Sequence, residues 1–209
     1  MTDLKNRILD AALPALAFDG WSMATLEQAA LSLGLTAFDA KLAFPDGVTS
    51  ALALFSARAD ARMLETLARD YDLPGMKIRA RIATAVMVRL RHQAPHREAV
   101  RRALAFYALP WHSAAGLRAL YATVDAMWRA AGDTSTDYNF YTKRAMLAGV
   151  FTSTVRVWLD DHGDDLAETR AFLDRRIENV MQIEKAKAKA RDGWHSFEEH
   201  LPDCLRKKA

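Results

Sequence analysis

The sequence predicts an all-α fold, and three observations support the prediction. Glycine and proline are scarce, with 9 and 6 residues in a chain of 209, and most fall between segments whose apolar residues recur at helical spacing. No alternating run of β-branched residues bounded by turn residues stands out, so no strand is predicted. The hydrophobic share of 51% is normal for a globular protein that buries a core.

Three short helices are predicted first, and together they form a helix-turn-helix-like unit over residues 1–47. Pro14 lies inside the first helix and is expected to kink it. Gly34 ends the second helix, and Thr36 is expected to cap the third. A turn over residues 45–47 closes the unit. The three helices are expected over residues 4–19, 25–33 and 36–44.

A helical bundle is predicted over residues 48–190, and an amphipathic tail over residues 191–209. The strongest apolar stripe recurs every three or four residues within 116–131. The break at Leu109-Pro110-Trp111 separates that helix from the one before it. The bundle helices are expected over residues 48–70, 76–93, 97–108, 116–131, 137–160 and 166–190.

The bulk properties exclude several classes of protein. The net charge of +3 is mild, so a basic patch is permitted but not predicted. Cys204 is the only cysteine, which rules out an intrachain disulfide and is compatible with a reducing compartment. No uncharged apolar run approaches 18 residues, so no membrane span is predicted, and the first residues carry no targeting pattern.

Linear motifs of catalysis are missing. The sequence has no Glu-x-x-His pair, no glycine-rich phosphate loop and no Gly-x-Ser-x-Gly elbow. Four aspartates surround His162, but their order does not match a calcium loop, and a solvated loop is the commoner explanation. We therefore predict no catalytic residue, no metal site and no cofactor.

The segment Ile8–Phe44 resembles the tetracycline-repressor (TetR) family. The resemblance lies in Ile8–Ala12, Phe18–Trp21 and Leu26–Ala30. It implies a TetR-like fold, whose third helix would read DNA. That helix offers a single cation, Lys41, beside the acidic Asp39. Groove reading needs basic and amide side chains, so we do not expect DNA binding and favour an inherited scaffold that packs without reading DNA.

The segment Gly132–Ala145 combines a polar helix start with aromatic and basic residues. Thr134 to Thr136 can supply the cap, and Asp137 then lies in the first turn. Aromatic residues beside charges are typical of a recognition surface, although a buried aromatic edge would explain them as well. With ordered matches between residues 108 and 183, this segment resembles the coenzyme Q biosynthesis accessory family. Its members bind lipid and assist a hydroxylase of ubiquinone synthesis.

The resemblance implies a docking surface and a lipid pocket. The expected partner-binding residues are Asp137, Phe140, Tyr141, Lys143 and Arg144. The pocket would hold an isoprenoid or other lipid. Apolar residues at helical spacing are individually more often ordinary core, so the pocket is a hypothesis. Its expected lining residues are Leu117, Tyr121, Val124, Trp128, Phe151 and Val155.

The tail carries apolar residues on one face of a short helix with cations on either side of it, a pattern that suits an anionic bilayer surface. A helix folded onto the body, or a dimer contact, would use the same face. The resemblance to the coenzyme Q accessory family favours membrane contact, and the TetR-like body implies a homodimer through its last helices. The expected membrane-binding residues are Trp194, Phe197, Leu201 and Leu205.

Together these observations predict a lipid-binding accessory protein, not an enzyme. It would present a ubiquinone precursor to a membrane-associated hydroxylase of ubiquinone biosynthesis. The expected location is the bacterial cytoplasm, peripheral to the inner membrane. The alternative is a TetR-type ligand-responsive transcription regulator.

Overall fold

The computed structural model describes residues 2–134 and 138–182, and every regular element in those ranges is helical. Two short 3-10 turns lie between longer helices, at Ala94–His96 and Pro110–His112. The prediction of an all-α fold is confirmed. The helices are α1 (Thr2–Asp19), α2 (Met23–Ser32), α3 (Ala37–Ala43), α4 (Val48–Asp70), α5 (Ile78–Gln93), α6 (Arg97–Tyr107), α7 (Ser113–Ala130), α8 (Tyr138–Asp160) and α9 (residues 167–182).

Local hydrogen bonds explain where the first helices begin and end. The Ser22 hydroxyl accepts from the Thr25 amide at 3.1 Å and caps α2. Gly34 adopts a φ of +73°, which a residue with a side chain rarely adopts, and so turns the chain after α2. Thr36 and Asp39 then form a capping box, with the Thr36 amide donating to Asp39 Oδ2 at 2.8 Å.

The N-terminal core extends beyond the three short helices. Residues from α1, α2 and α3 pack with the first turns of α4 and with Ala99 and Ala103 of α6. The Trp21 indole N–H donates to the Ala99 carbonyl oxygen at 2.9 Å, and this bond joins the unit to α6. The N-terminal helices are therefore packed on the bundle, and the division at residue 47 stays a prediction.

The second core is built around α5. The side chains from Ile82 to Leu90 are all buried, and Arg89 is the one charged residue in that stretch. A helix that is apolar on all sides is surrounded by other elements. Here the surrounding residues come from α4, α7, α8 and α9, and the largest of them are Met63, Met127, Trp158 and Leu173.

Asp161 fixes the turn between α8 and α9. Its carboxylate accepts from the Thr169 amide at 2.9 Å, from the Thr169 hydroxyl at 2.7 Å and from the Gly163 amide at 3.0 Å. Burial opposes ionisation, but these hydrogen bonds and the Arg97 charge outweigh it, so the pKa of Asp161 is below its usual range. We expected all four aspartates of this loop to be solvated, but Asp161 is buried. Its carboxylate accepts from a backbone amide in the first turn of α9, which has no partner within the helix.

Candidate functional site

A cavity of about 420 Å³ lies between α4, α5, α6, α7 and α8. This volume falls within the range of about 300–1,000 Å³ that is typical of small-molecule sites. Most of its walls are apolar, and the rim residues Leu104 and Leu117 are exposed. The lining residues are Leu52, Phe55, Ser56, Arg89, Gln93, Val100, Ala103, Leu104, Tyr107, Ala108, Ser113, Gly116, Leu117, Ala119, Leu120, Thr123, Phe151, Thr152 and Val155.

Small residues on α6 and α7 form one wall of the cavity. Gly116 packs so closely on Tyr107 that an added Cβ would lie 2.9 Å from the Tyr107 Cβ atom. The proline break before α7 allows this close crossing, because α6 ends at Tyr107 and α7 begins at Ser113. Burial raises the pKa of Tyr107, so its phenol stays neutral beside the cavity.

One end of the cavity is polar. Arg89 Nε donates to Asp60 Oδ1 at 2.6 Å, and Arg89 Nη2 donates to Ser56 Oγ at 3.1 Å. The Thr123 hydroxyl lies 3.0 Å from Asp60 Oδ2 and donates to that carboxylate. The Arg89 guanidinium also lies 5.2 Å from the centre of the Phe151 ring. An ion pair that is buried on both sides therefore joins α4, α5 and α7.

The structure brings Leu117, Phe151 and Val155 of the predicted lipid residues to this cavity. It places the other three elsewhere. Tyr121 is exposed beyond the cavity, and Val124 is enclosed in the second core. Trp128 is half-buried, and its indole N–H donates to the Lys143 carbonyl oxygen at 3.1 Å.

Three of the predicted residues lie outside this cavity because neighbouring positions on α7 do not share one environment. Leu117, Leu120 and Thr123 line the cavity, whereas residues 121, 124 and 128 point away from it. Sequence reasoning also missed the walls from α4, α5 and α6. Arg89 was the available signal, since a single charge inside a long apolar run indicates a buried polar group with a partner.

The predicted docking surface is present only in part. Tyr141 is 66% exposed, and its ring meets the Phe140 ring edge-on at 5.1 Å between centres. The ammonium of half-buried Lys143 lies 2.8 Å from Asp133 Oδ1. Phe140 is half-buried, so Tyr141 is the most accessible of these side chains.

Arg144 is not on that surface. It is only 3% exposed and pairs with Asp125 Oδ1 at 2.7 Å and with Asp133 Oδ2 at 3.1 Å. Its guanidinium also stacks over the Phe140 ring, 3.4 Å from the ring centre. The sequence predicts an exposed cation here, whereas two carboxylates and an aromatic face hold the guanidinium inside.

Some predicted residues lie outside the described residues. These are Asp137 of the docking surface and the four membrane-binding residues of the tail, Trp194, Phe197, Leu201 and Leu205.

The third helix shows little of a DNA-reading surface. Phe38 and Leu42 of α3 are 70% and 54% exposed. Lys41 lies 3.4 Å from Glu27 Oε1, and Asp39 is engaged in the cap of its own helix. This helix therefore presents apolar side chains where a DNA reader presents donors and acceptors.

Residues 2–134 and 138–182 contain neither a metal-ligand cluster nor a helix able to span a membrane. Within that part of the chain, no group of three or more His, Cys, Asp or Glu side chains is arranged to hold a metal ion. None of the helices described there is long and apolar enough to cross a membrane.

Comparison with known proteins shows a likeness to one family. The family model described as COQ9 matches residues 113–184, which contain α7, α8 and the described part of α9. The rat protein named "Ubiquinone biosynthesis protein COQ9, mitochondrial" is 35% identical over 186 residues, or 86% of this chain and 59% of its own length. The chain is therefore similar to COQ9 proteins over most of its own length.

The COQ9 relatives extend from mammals to insects. The human protein of the same name is 34% identical over 186 residues, which cover 86% of this chain and 58% of the human protein. The Drosophila melanogaster protein is 26% identical over 198 residues, which cover 93% of this chain and 60% of the fly protein. The chain thus spans about 59% of the length of the rat COQ9 protein that it matches.

A solved structure supports the fold. The TetR transcriptional regulator from Nitrosomonas europaea superposes with a TM-score of 0.69 at 20% sequence identity, over 86% of this chain and 99% of that chain. At this identity the likeness shows the fold alone. The prediction of a TetR-like fold is confirmed.

The predicted location is wrong. We expected a bacterial cytoplasm, peripheral to the inner membrane, but the rat, human and fly COQ9 proteins are all named mitochondrial. That expectation depended on composition and on the first residues, neither of which distinguishes the two compartments.

Proposed function

We propose that this protein is a lipid-binding accessory protein of ubiquinone biosynthesis. It presents a ubiquinone precursor to a membrane-associated hydroxylase, and the chemistry belongs to that partner. The observation that carries the proposal is the cavity between α4 and α8, in a chain whose relatives are named ubiquinone biosynthesis proteins.

The cavity suits an isoprenoid tail for a simple physical reason. Removal of apolar surface from water contributes about 25 cal/mol per Å². The cavity walls are mainly Leu, Val, Ala and Phe side chains, and their rim is exposed. A tail that leaves a bilayer for this cavity exchanges one apolar surrounding for another, so transfer needs no exposure to water.

Binding of an isoprenoid quinone to a variant with a filled cavity tests the proposal. Ala119 lines the cavity on α7, and Ala105 lies on the exposed face of α6 away from it. We expect Ala119→Trp to lose most of the binding seen by native mass spectrometry and Ala105→Trp to retain it. Equal binding by all three proteins, or no binding by any of them, would refute a lipid site in this cavity.

We propose the Phe140–Tyr141 edge as the docking surface for the hydroxylase. Exposed aromatic rings beside charges are common at the centres of protein interfaces, and the Tyr141 side chain is 66% exposed. Lys143 belongs to the same surface, whereas Arg144 supports it from within by stacking on Phe140.

The tail and the dimer are further proposals with simple tests. Membrane contact through Trp194, Phe197, Leu201 and Leu205 predicts that vesicles of anionic lipid float the full chain better than a chain ended at Asp192. Equal flotation would refute the idea.

Homodimerisation predicts twice the chain mass in light scattering, and a monomer mass would contradict it.

A TetR-type transcription regulator is the alternative. The apolar surface of α3 counts against it, since Phe38 and Leu42 are exposed where base and phosphate contacts are needed. A screen with random DNA duplexes distinguishes the two functions. Tight, sequence-specific and salt-sensitive binding would favour the regulator.

A further inference from the structure

Two buried polar side chains of α5 face the apolar cavity. Arg89 and Gln93 are one helical turn apart, so they lie on the same side of the helix. They are 8% and 4% exposed, and both line the cavity. Ligand sites combine apolar walls with a few fixed polar groups that orient the ligand, and these two residues form such a polar end.

Arg89 is held rigidly, and its charge is balanced. Its Nε and Nη2 atoms donate to Asp60 and Ser56, and the Thr123 hydroxyl donates to Asp60. Arg89 and Asp60 together carry no net charge. Among the described residues, the third guanidinium nitrogen, Nη1, has no hydrogen-bond partner. Nη1 is therefore a fixed hydrogen-bond donor, and the Asp60 carboxylate balances the charge of the guanidinium to which it belongs.

Gln93 has a free carboxamide. Its side chain is more than nine-tenths buried, yet no described residue donates to it or accepts from it. A carboxamide offers both donors and an acceptor, and a buried one normally has partners. Gln93 lines this cavity on one side and, on another, a pocket of about 20 Å³ beside Arg58 and His96. A molecule in the larger cavity is therefore within reach of the carboxamide.

We propose that Arg89 and Gln93 bind the uncharged, oxygen-bearing head of the lipid and so fix its direction in the cavity. This inference rests on the proposed lipid-binding function. The head carries neutral acceptors such as carbonyl or ether oxygens and lies at the buried end. The hydrocarbon tail runs toward the rim at Leu104 and Leu117.

The charge balance selects against an anionic head. A carboxylate or phosphate would lose its hydration in the apolar cavity, and Asp60 would repel it while Arg89 attracts it. A neutral acceptor loses far less hydration and accepts from Arg89 Nη1 and from Gln93. The site thus discriminates by head group, while the apolar walls accept many tails.

A competition among three probes tests the inference. The full-length protein is mixed with a ubiquinone carrying a short isoprenoid tail, an isoprenoid hydrocarbon of equal tail length and a fatty acid of similar length. Native mass spectrometry counts what is bound. We expect wild type to prefer the quinone over both competitors. Gln93→Leu keeps the size of the side chain and should lower that preference about 3- to 10-fold, the effect of one lost hydrogen bond.

Matched variants complete the design. Gln28→Leu makes the same change on the exposed face of α2 and should behave as wild type. The double variant Asp60→Leu with Arg89→Met removes the other donor without leaving a lone charge, and it should also lose the preference. An unchanged preference in Gln93→Leu, or a preference for the fatty acid in wild type, would overturn the inference alone. Failure of every probe to bind would overturn the proposed function as well.

Discussion

Asp60→Leu should destabilise the protein far more than the small difference in side-chain volume suggests. Asp60 is buried and is the counter-charge of Arg89 at 2.6 Å. Leucine would leave the guanidinium without a counter-charge in an apolar surrounding, and breaking such a pair costs about 3–5 kcal/mol. A chain of this size loses roughly 2–4 °C of Tm per kcal/mol, so Tm should fall by about 6–20 °C.

The double variant shows whether the cost of each single substitution comes from the charge that it leaves unpaired. Replacing Asp60 by Leu and Arg89 by Met together removes both charges and keeps the apolar volume. Such replacements are often neutral or stabilising, so the double variant should unfold within about 2 kcal/mol of wild type, although each single variant is severely destabilised. The difference is a coupling free energy, which a double-mutant cycle measures directly.

Urea unfolding followed by circular dichroism gives the four free energies of the cycle. Asp174→Leu is the matched control, because Asp174 pairs with Arg170 at 3.0 Å but both side chains are about half exposed. Its cost should stay below about 1 kcal/mol. Additive losses in the Asp60 and Arg89 cycle, with the double variant as unstable as the sum, would refute the buried pair.

Three further predictions concern helix packing, a buried carboxylate and the docking surface. Gly116→Ala should destabilise by about 1–3 kcal/mol because the new methyl meets Tyr107, whereas Gly149→Ala has open space and should stabilise by about 0.5–1 kcal/mol in thermal unfolding; the reverse order would contradict the close packing. Asp161→Asn should be less stable than wild type at neutral pH, and the gap should narrow as pH falls below about 4. The folded-state pKa of Asp161 is depressed, so the unfolded chain takes up the proton first and wild type loses this stability in acid; a gap independent of pH would contradict the assignment. Tyr141→Ala should weaken capture of the hydroxylase at least about tenfold with unchanged Tm, and undiminished capture would remove Tyr141 from the docking surface.

The fold was predictable because its determinants are local. Helical spacing of apolar residues and the placement of glycine and proline indicated the helices, and Thr36 forms the predicted cap. The cavity was predictable only on α7 and α8, where an apolar stripe and a family resemblance coincide. Its other walls come from α4, α5 and α6, and a cavity forms where packed helices leave space between them, which no single helix encodes.

Arg144 shows why side-chain environments were harder to predict than helices. Its carboxylate partners, Asp125 and Asp133, lie 19 and 11 residues away in the sequence. Neither distance fits a pairing within one helix, so only the packing of α7 on α8 reveals it. Tyr121 directly follows the cavity-lining residue Leu120 on α7, yet its own side chain is exposed outside the cavity.

Photo-crosslinking with an isoprenoid lipid that carries a diazirine in its tail can locate the lipid on the protein. After irradiation of the complex, peptide mass spectrometry locates the modified residues. We expect crosslinks at cavity residues of α6, α7 and α8, including Leu104, Leu117 and Phe151, and their loss when unlabelled isoprenoid lipid competes. Crosslinks confined to exposed surface outside the cavity, or labelling that the competitor leaves unchanged, would contradict this expectation.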